Sequence, residues 1–179
     1  ASSMFQPGLL AGQRILITGG GSGLGAAMAA RFAELGARLL LCGRRAQVLD
    51  DTAATLRAAG ATVDTAVCDV RDAAAVDAMV DAQWAQAPID VLVNNAAASF
   101  IARTETLSAR AADAILAPTL HGALYCTLAL GRRWIDSGRR IGTWGSTVRC
   151  AKLPGVAAAA HFGARRRITN CWPGYSCCE

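Results

Sequence analysis

One stretch restricts this chain more than any other: Thr18-Gly19-Gly20-Gly21-Ser22-Gly23-Leu24-Gly25, set directly after the apolar run Ile15-Leu16-Ile17. An alanine-rich segment with helical spacing follows, from Ala26 to Leu35. The order is strand, tight turn, helix. Glycines in such a turn tolerate positive φ and, lacking Cβ, let backbone approach a ligand closely. The turn's amides and the positive end of the helix then face outward, which suits a pyrophosphate. A glycine pattern alone is weak, but one held between a strand and a helix predicts a dinucleotide site rather than a plain turn.

The rest of the chain repeats the alternation. Strands are predicted at Arg38 to Cys42, Thr62 to Cys68 and Ile89 to Val93. The first of these is apolar after its opening arginine, as in a parallel strand covered on both faces. Helices are predicted from Arg45 to Ala59, stopped by Gly60, and from Asp72 to Ala87, with Asp72 as N-cap and Val76, Met79, Val80 and Trp84 on one face. Leu107 to about Ser137 reads as a long helical region, with Ser108 a possible N-cap and a kink at Pro118. Arg139 to Thr147 is a poor fifth strand, with two glycines and few β-branched residues. Strand alternating with helix at this spacing implies right-handed crossovers and an α/β, doubly wound parallel sheet.

Composition and charge narrow the partners. At 53% hydrophobic and 17% charged, the chain is globular. It has no unbroken run of 18 apolar residues and no basic segment followed by an apolar core at its start, so neither a membrane span nor a signal peptide is expected. The formal charge of +5 is uneven: residues 1–140 carry a net +1 and residues 141–179 a net +4. No groove-reading motif accompanies this basic tail, so nucleic acid is not an expected partner. Of seven cysteines, Cys42, Cys68 and Cys126 lie in apolar segments and read as small buried hydrophobes. The odd count suits reduced thiols and a cytoplasmic setting. His161, Cys171, Cys177 and Cys178 match no usual ligand spacing, and no metal is expected.

Ligands of such sheets bind beyond the C-terminal ends of the strands. After the second strand comes Gly43-Arg44-Arg45. Gly43 stands where a carboxylate would take the ribose 2′-hydroxyl of NAD, and the Arg44 guanidinium beside it suits a 2′-phosphate, which favours NADP(H) over a solvated arginine pair. After the third comes Asp69-Val70-Arg71, where the carboxylate reads either as an adenine partner or as a helix-entry cap. After the fourth comes Asn94-Asn95-Ala96-Ala97, polar side chains followed by small residues that leave room for a ligand.

These motifs together resemble the short-chain dehydrogenase/reductase family. Thr18 to Gly25 matches its T-G-x-x-x-G-x-G, Asp69-Val70 its adenine position, and Asn94 to Ala97 its N-N-A-G with Ala97 for the glycine. The resemblance covers roughly residues 9–140 and implies a Rossmann-like NADP-binding domain there. It implies a cofactor site of Thr18, Gly19, Gly21, Ser22, Gly23, Leu24, Gly25, Arg44, Asp69, Val70, Asn94 and Ala96. The loop from Asn94 to Ser108 and the segment His121-Gly-Ala-Leu-Tyr-Cys-Thr-Leu are similar to the 2,4-dienoyl-CoA and peroxisomal trans-2-enoyl-CoA reductase branch. That likeness implies hydride transfer between NADP(H) and an unsaturated acyl-CoA-like substrate, with Arg71, Phe100 and Ser108 near acyl-CoA or cofactor phosphate, against readings of Arg71 as a surface arginine and Phe100 as a core phenylalanine. Family members form homo-oligomers, and this chain is expected to lack much of that interface.

The resemblance weakens past residue 140. Most members carry Y-x-x-x-K as proton donor and its partner. Here Ala129 stands four residues after Tyr125, Glu179 four after Tyr175, and Val148 four before the lone lysine, Lys152. Ser146 is the one catalytic candidate by position, against a reading as a solvated loop serine. Residues 141–179 hold four of the seven cysteines and one of the 13 acids, without amphipathic pattern. They are expected to be a divergent or frame-shifted tail, leaving the sheet incomplete on its C-terminal side. Whether the chain is an active enzyme stays open: the alternative is a truncated, inactive member retaining only a dinucleotide-binding module.

Overall fold

Strand residues alternate strictly between two apolar layers, and that alternation positions everything else. In a computed structural model of the protein, residues 5–99, 103–139 and 142–145 are described, the last four as backbone only. The elements are β1 (Arg14–Thr18), α1 (Gly23–Glu34), β2 (Arg38–Gly43), α2 (Ala46–Ala58), β3 (Val63–Val67), α3 (Ala73–Gln86), β4 (Val91–Asn94), α4 (Ala109–Leu116), α5 (Gly122–Asp136) and β5 (Gly142–Gly145). A π-helical turn, Ala117–His121, joins α4 to α5. The sheet is parallel, in the order β3-β2-β1-β4-β5. The chain therefore starts at the centre, builds outward to β3, then crosses back to β4 on the other side of β1. The doubly wound parallel sheet expected from the sequence is present.

On one face Leu16, Leu40 and Leu92 pack with Val76, Met79 and Val80 of α3 and with Cys126, Leu130 and Trp134 of α5. On the other, Ile15, Ile17, Leu39, Leu41 and Val93 pack with Ala29 of α1 and Leu49, Ala53 and Leu56 of α2. Trp134 is fully buried and its indole N–H donates to the Ile89 carbonyl at 2.6 Å, so the largest core side chain leaves no polar atom unpaired.

Local signals account for most boundaries. Asp72 caps α3 by accepting from the amides of Ala74 and Ala75, and Ser108 caps α4 by accepting from Ala111. Gly60 follows α2 with φ of +90°, the left-handed conformation that stops a helix. The long helical region expected after Leu107 is present, and its regularity breaks around Pro118 as expected. Pro118 has no N–H to donate one turn back, and the backbone widens into the π turn around it.

The helical stretch Ala109–Asp136 has a mean hydropathy of 1.4 in its most apolar 18-residue window, enough by length and composition to cross a bilayer. A search for unbroken apolar runs does not find it. Its α5 half buries Ala123, Cys126, Ala129, Leu130 and Trp134, while 28% of that window as a whole is buried. The fifth strand is shorter than expected, at four residues, and pairs with β4 from Val91↔Gly142 to Asn94↔Gly145. Phe100 and Ser146 lie outside the described residues, as does nearly all of the tail.

Candidate dinucleotide site

Because α1 and α2 cover one face of the sheet and α3 and α5 the other, the loops after β1 and β4 part where the winding changes direction. A crevice at that point is the general ligand site of such sheets. A cavity of about 330 Å³ opens there, walled by the loops after β1, β2, β3 and β4 and by Ala114 and Pro118 at the α4–π junction. The segments expected to carry chemistry are therefore brought together, although they come from four separate parts of the chain.

The glycine turn is held from below. The amides of Gly19 and Gly20 both donate to the Cys42 carbonyl, at 2.8 and 3.2 Å, tying the turn to β2. Gly19 and Gly23 have φ of +68° and +53°, the region that favours glycine. Gly25 leaves no room at all: a Cβ there would lie 2.2 Å from the Gly19 carbonyl oxygen and 2.7 Å from Asn95 Nδ2. Ser22 is the N-cap of α1, yet its hydroxyl caps nothing. Asp72 and Ser108 do satisfy the first amides of their helices. The α1 amides are thus left to a ligand, beside glycines that keep side chains out of the cavity. That arrangement fits a dinucleotide pyrophosphate.

The charges around the cavity are arranged asymmetrically. Asp69 and Arg71 form an ion pair, with Arg71 Nε 2.9 Å from each carboxylate oxygen and the Arg71 amide also donating to Asp69. The guanidinium hydrogen bond holds the Asp69 carboxyl below the usual carboxylate range. Arg44 is exposed at the cavity wall, and among the described residues its guanidinium has no hydrogen-bond or ion-pair partner. Its charge is close enough to Asp69 to contribute to the same lowering. The helix-entry role weighed for Asp69 is taken by Asp72 instead.

A depressed folded pKa means that the Asp69–Arg71 pair contributes at neutral pH and is lost as pH falls through that value, below the ordinary 3.8. We expect Arg71→Met to move the Asp69 titration upward toward 3.8, read by carboxyl-carbon NMR. An unchanged midpoint would assign the shift to another source.

Beneath the cavity two thiols are paired, and the hydrogen bond with Cys42 lowers the Cys68 thiol. Cys68 lines the floor and is hydrogen-bonded to Cys42, and that bond together with burial pushes the Cys42 thiol far up. Burial raises Cys126 to about 12. All three are free and buried, as their apolar surroundings in the sequence suggested.

Of the residues named from the sequence, Gly19, Gly21, Ser22, Arg44, Asp69, Val70, Ala96 and Arg71 line the cavity. Thr18, Gly25 and Asn94 stand behind its wall. The Thr18 hydroxyl donates to the Val93 carbonyl and accepts from the amides of Asn95 and Ala96, locking the end of β1 to the end of β4. Asn94 is buried toward α5, donating to Thr127, with its Oδ1 unpaired. Leu24 is 70% exposed on the turn, and Gly23 is likewise exposed outside the lining. Ser108 is an exposed helix cap away from the cavity lining.

Sequence reasoning missed Arg45, Val48, Leu49, Cys68, Ala98, Ala114 and Pro118 in the lining, and left Asn95 and Ala97 out of the site. The Pro118 kink was a usable signal for the helix positions. Asn95 was legible too: its amide donates to the carbonyls of Thr18 and Gly19, bracing the turn from β4.

Comparisons with known proteins agree with this geometry. A family profile described as short chain dehydrogenase matches residues 13–160. A probable 2,4-dienoyl-CoA reductase of Bacillus subtilis is 38% identical over 123 residues, covering 68% of this chain and 48% of its own length. Among solved structures, a citronellol catabolism dehydrogenase of Pseudomonas aeruginosa superposes with a TM-score of 0.72 at 34% identity, over 79% of this chain and 59% of the other. A 3-oxoacyl-(acyl-carrier-protein) reductase of Agrobacterium tumefaciens, solved with NADP bound, gives 0.67 at 27% identity, over 75% and 52%. The chain spans about half the length of the curated relatives it matches. With the strand order, the glycine turn and the matched profile in agreement, this chain belongs to the short-chain dehydrogenase/reductase family of nicotinamide-dinucleotide oxidoreductases.

Proposed function

We propose that this chain is an NADP(H)-using reductase of unsaturated acyl-CoA-like thioesters, with residues 9–140 as its cofactor-binding unit. The observation that carries the cofactor choice is the unpaired Arg44 guanidinium at the cavity wall, next to Gly43 rather than a carboxylate. A ribose 2′-phosphate satisfies that charge, whereas a 2′-hydroxyl leaves it without a matching acceptor. When bound, the nicotinamide supplies the hydride. The chain's own work is to hold it: Gly19, Gly21 and Ser22 with the free α1 amides take the pyrophosphate, Arg44 the 2′-phosphate, Asp69 and Val70 the adenine, and the small Ala96–Ala98 wall leaves space beside the ring.

The acyl-CoA assignment rests on the loop likeness and on the dienoyl-CoA reductases among the relatives. In it Arg71, Phe100 and Ser108 are the substrate-side residues, and the Asp69 pairing fixes where the Arg71 charge sits. Three free buried thiols suit a reducing, cytoplasmic setting.

A second reading is favoured by one specific observation: neither tyrosine of the chain has a lysine four residues on. In that reading the chain binds the dinucleotide without turnover, and residues 141–179 are a divergent tail. The test is titration of the purified protein with NADPH and NADH, followed by addition of a 2,4-dienoyl-CoA and measurement of NADPH absorbance. We expect NADPH to bind more tightly than NADH. Arg44→Ser should weaken NADPH by roughly 10- to 100-fold, the range of one or two charge-assisted hydrogen bonds, and leave NADH unchanged. Equal losses for both dinucleotides would remove Arg44 from the 2′-phosphate role. Binding without absorbance loss would leave the second reading standing.

A further inference from the structure

The two phosphate subsites lie on different loops, so something must fix the distance between them. The first half of the glycine turn is tied to β2 through the Cys42 carbonyl. The second half meets α2. There the Thr52 hydroxyl donates to the Gly21 carbonyl at 2.7 Å, across 31 residues of sequence. Leu49, on the same helix, sits under both loops: a Cβ on Gly21 would be 3.2 Å from its side chain and one on Gly43 3.5 Å. Arg44 and Arg45 lead directly into this helix.

We infer that Thr52 is a positioning residue for dinucleotide binding, pinning the Gly21 carbonyl to α2 and thereby setting the pyrophosphate turn relative to Arg44. In a trans peptide the C=O and the following N–H point in opposite directions. Holding the Gly21 carbonyl against α2 therefore aims the Ser22 N–H away from that helix, on the side available to a phosphate. The helix that presents the cation for one phosphate also orients an amide for the other. No motif carries Thr52, which sits mid-helix in the pattern Thr52-Ala53-Ala54-Thr55. This rests on the proposed NADP(H) site.

The experiment compares two ligands. NADPH engages both subsites; adenosine 2′-monophosphate carries the 2′-phosphate and no phosphate on its 5′ oxygen for the glycine turn. Thr52→Val removes the hydroxyl at nearly constant volume. It should weaken NADPH by about tenfold and leave adenosine 2′-monophosphate within about twofold of wild type. Thr52→Ser keeps the donor and should return NADPH to within about threefold. Gly21→Ala keeps Thr52 but pushes the turn off Val48 and Leu49, and should reproduce the selective loss even if Thr52→Val does not fold. The inference is overturned if Thr52→Val or Gly21→Ala weakens both ligands equally, as general destabilisation would, or weakens neither. Wild-type protein that binds neither ligand would instead overturn the cofactor reading on which this one depends.

Discussion

Gly25→Ala will abolish measurable NADPH binding and destabilise the fold, although it adds a single methyl group to a helix. The added Cβ would stand 2.2 Å from the Gly19 carbonyl oxygen, 3.0 Å from the Gly19 carbonyl carbon and 2.7 Å from Asn95 Nδ2. Two of these are backbone atoms, so no side-chain rotation relieves the clash. The third is the amide that braces the turn by donating to Thr18 and Gly19. The turn must therefore move off both β4 and the start of α1. Overpacking of this kind costs about 3 kcal/mol. Displacement of the amides from the phosphate position adds a loss of roughly 100-fold or more in affinity. Urea unfolding and NADPH titration of the variant check both halves. Wild-type affinity in a folded Gly25→Ala protein would show that the turn tolerates displacement.

Arg14→Met will produce the second large effect, on stability alone. Arg14 is the first residue of β1 and is 3% exposed, an unusual place for a guanidinium. Its Nη1 donates to the carbonyls of Gln83 and Ala87 at 2.7 and 2.6 Å, at the C-terminal end of α3. Its Nη2 donates to Gln83 Oε1 and pairs with Asp64 on β3 at 3.1 Å. A cation there satisfies the Ala87 carbonyl beyond the helix, adds to the Ala87 N–H at the Gln83 carbonyl, and meets the negative end of the helix dipole. Methionine keeps much of the volume but strands those acceptors, at a cost of about 3 kcal/mol. This network lies at the opposite end of the strands from the cavity, so NADPH affinity of the folded variant should be unchanged. A midpoint of urea unfolding equal to wild type would show that water replaces the guanidinium without penalty.

The sheet was legible because its signals are local. Apolar runs such as Leu39-Leu40-Leu41, a cap at Asp72 and a stop at Gly60 each act within a few residues. Boundaries set by pairing were less so. β4 begins two residues later than the apolar run suggests, because Asp90 turns its carboxylate to the Arg14 amide before the ladder starts. The break at Pro118 was expected, but not that the backbone would open into a π turn and bring Ala114 and Pro118 to the cavity.

For the site, sequence alone determined which loops wall the cavity: the glycines after β1, Arg44 after β2, Asp69 after β3 and the small residues after β4. Strand–turn–helix periodicity fixes those positions without knowledge of the partners across the sheet. Only the tertiary structure decided how the residues divide their labour. Thr18 and Asn94, named by motif, turn inward to hold β1, β4 and α5 together. Asp69 and Arg71 neutralise one another, while Arg44 and Arg45 line the cavity without an ion-pair partner among the described residues. Thr52 and Asn95 brace the glycine turn from α2 and β4. Apart from the local Asp69–Arg71 pair, these outcomes depend on side chains from distant segments meeting across the crevice, and hydrogen bonds over 31 to 78 residues of separation leave no period or spacing in the sequence to read.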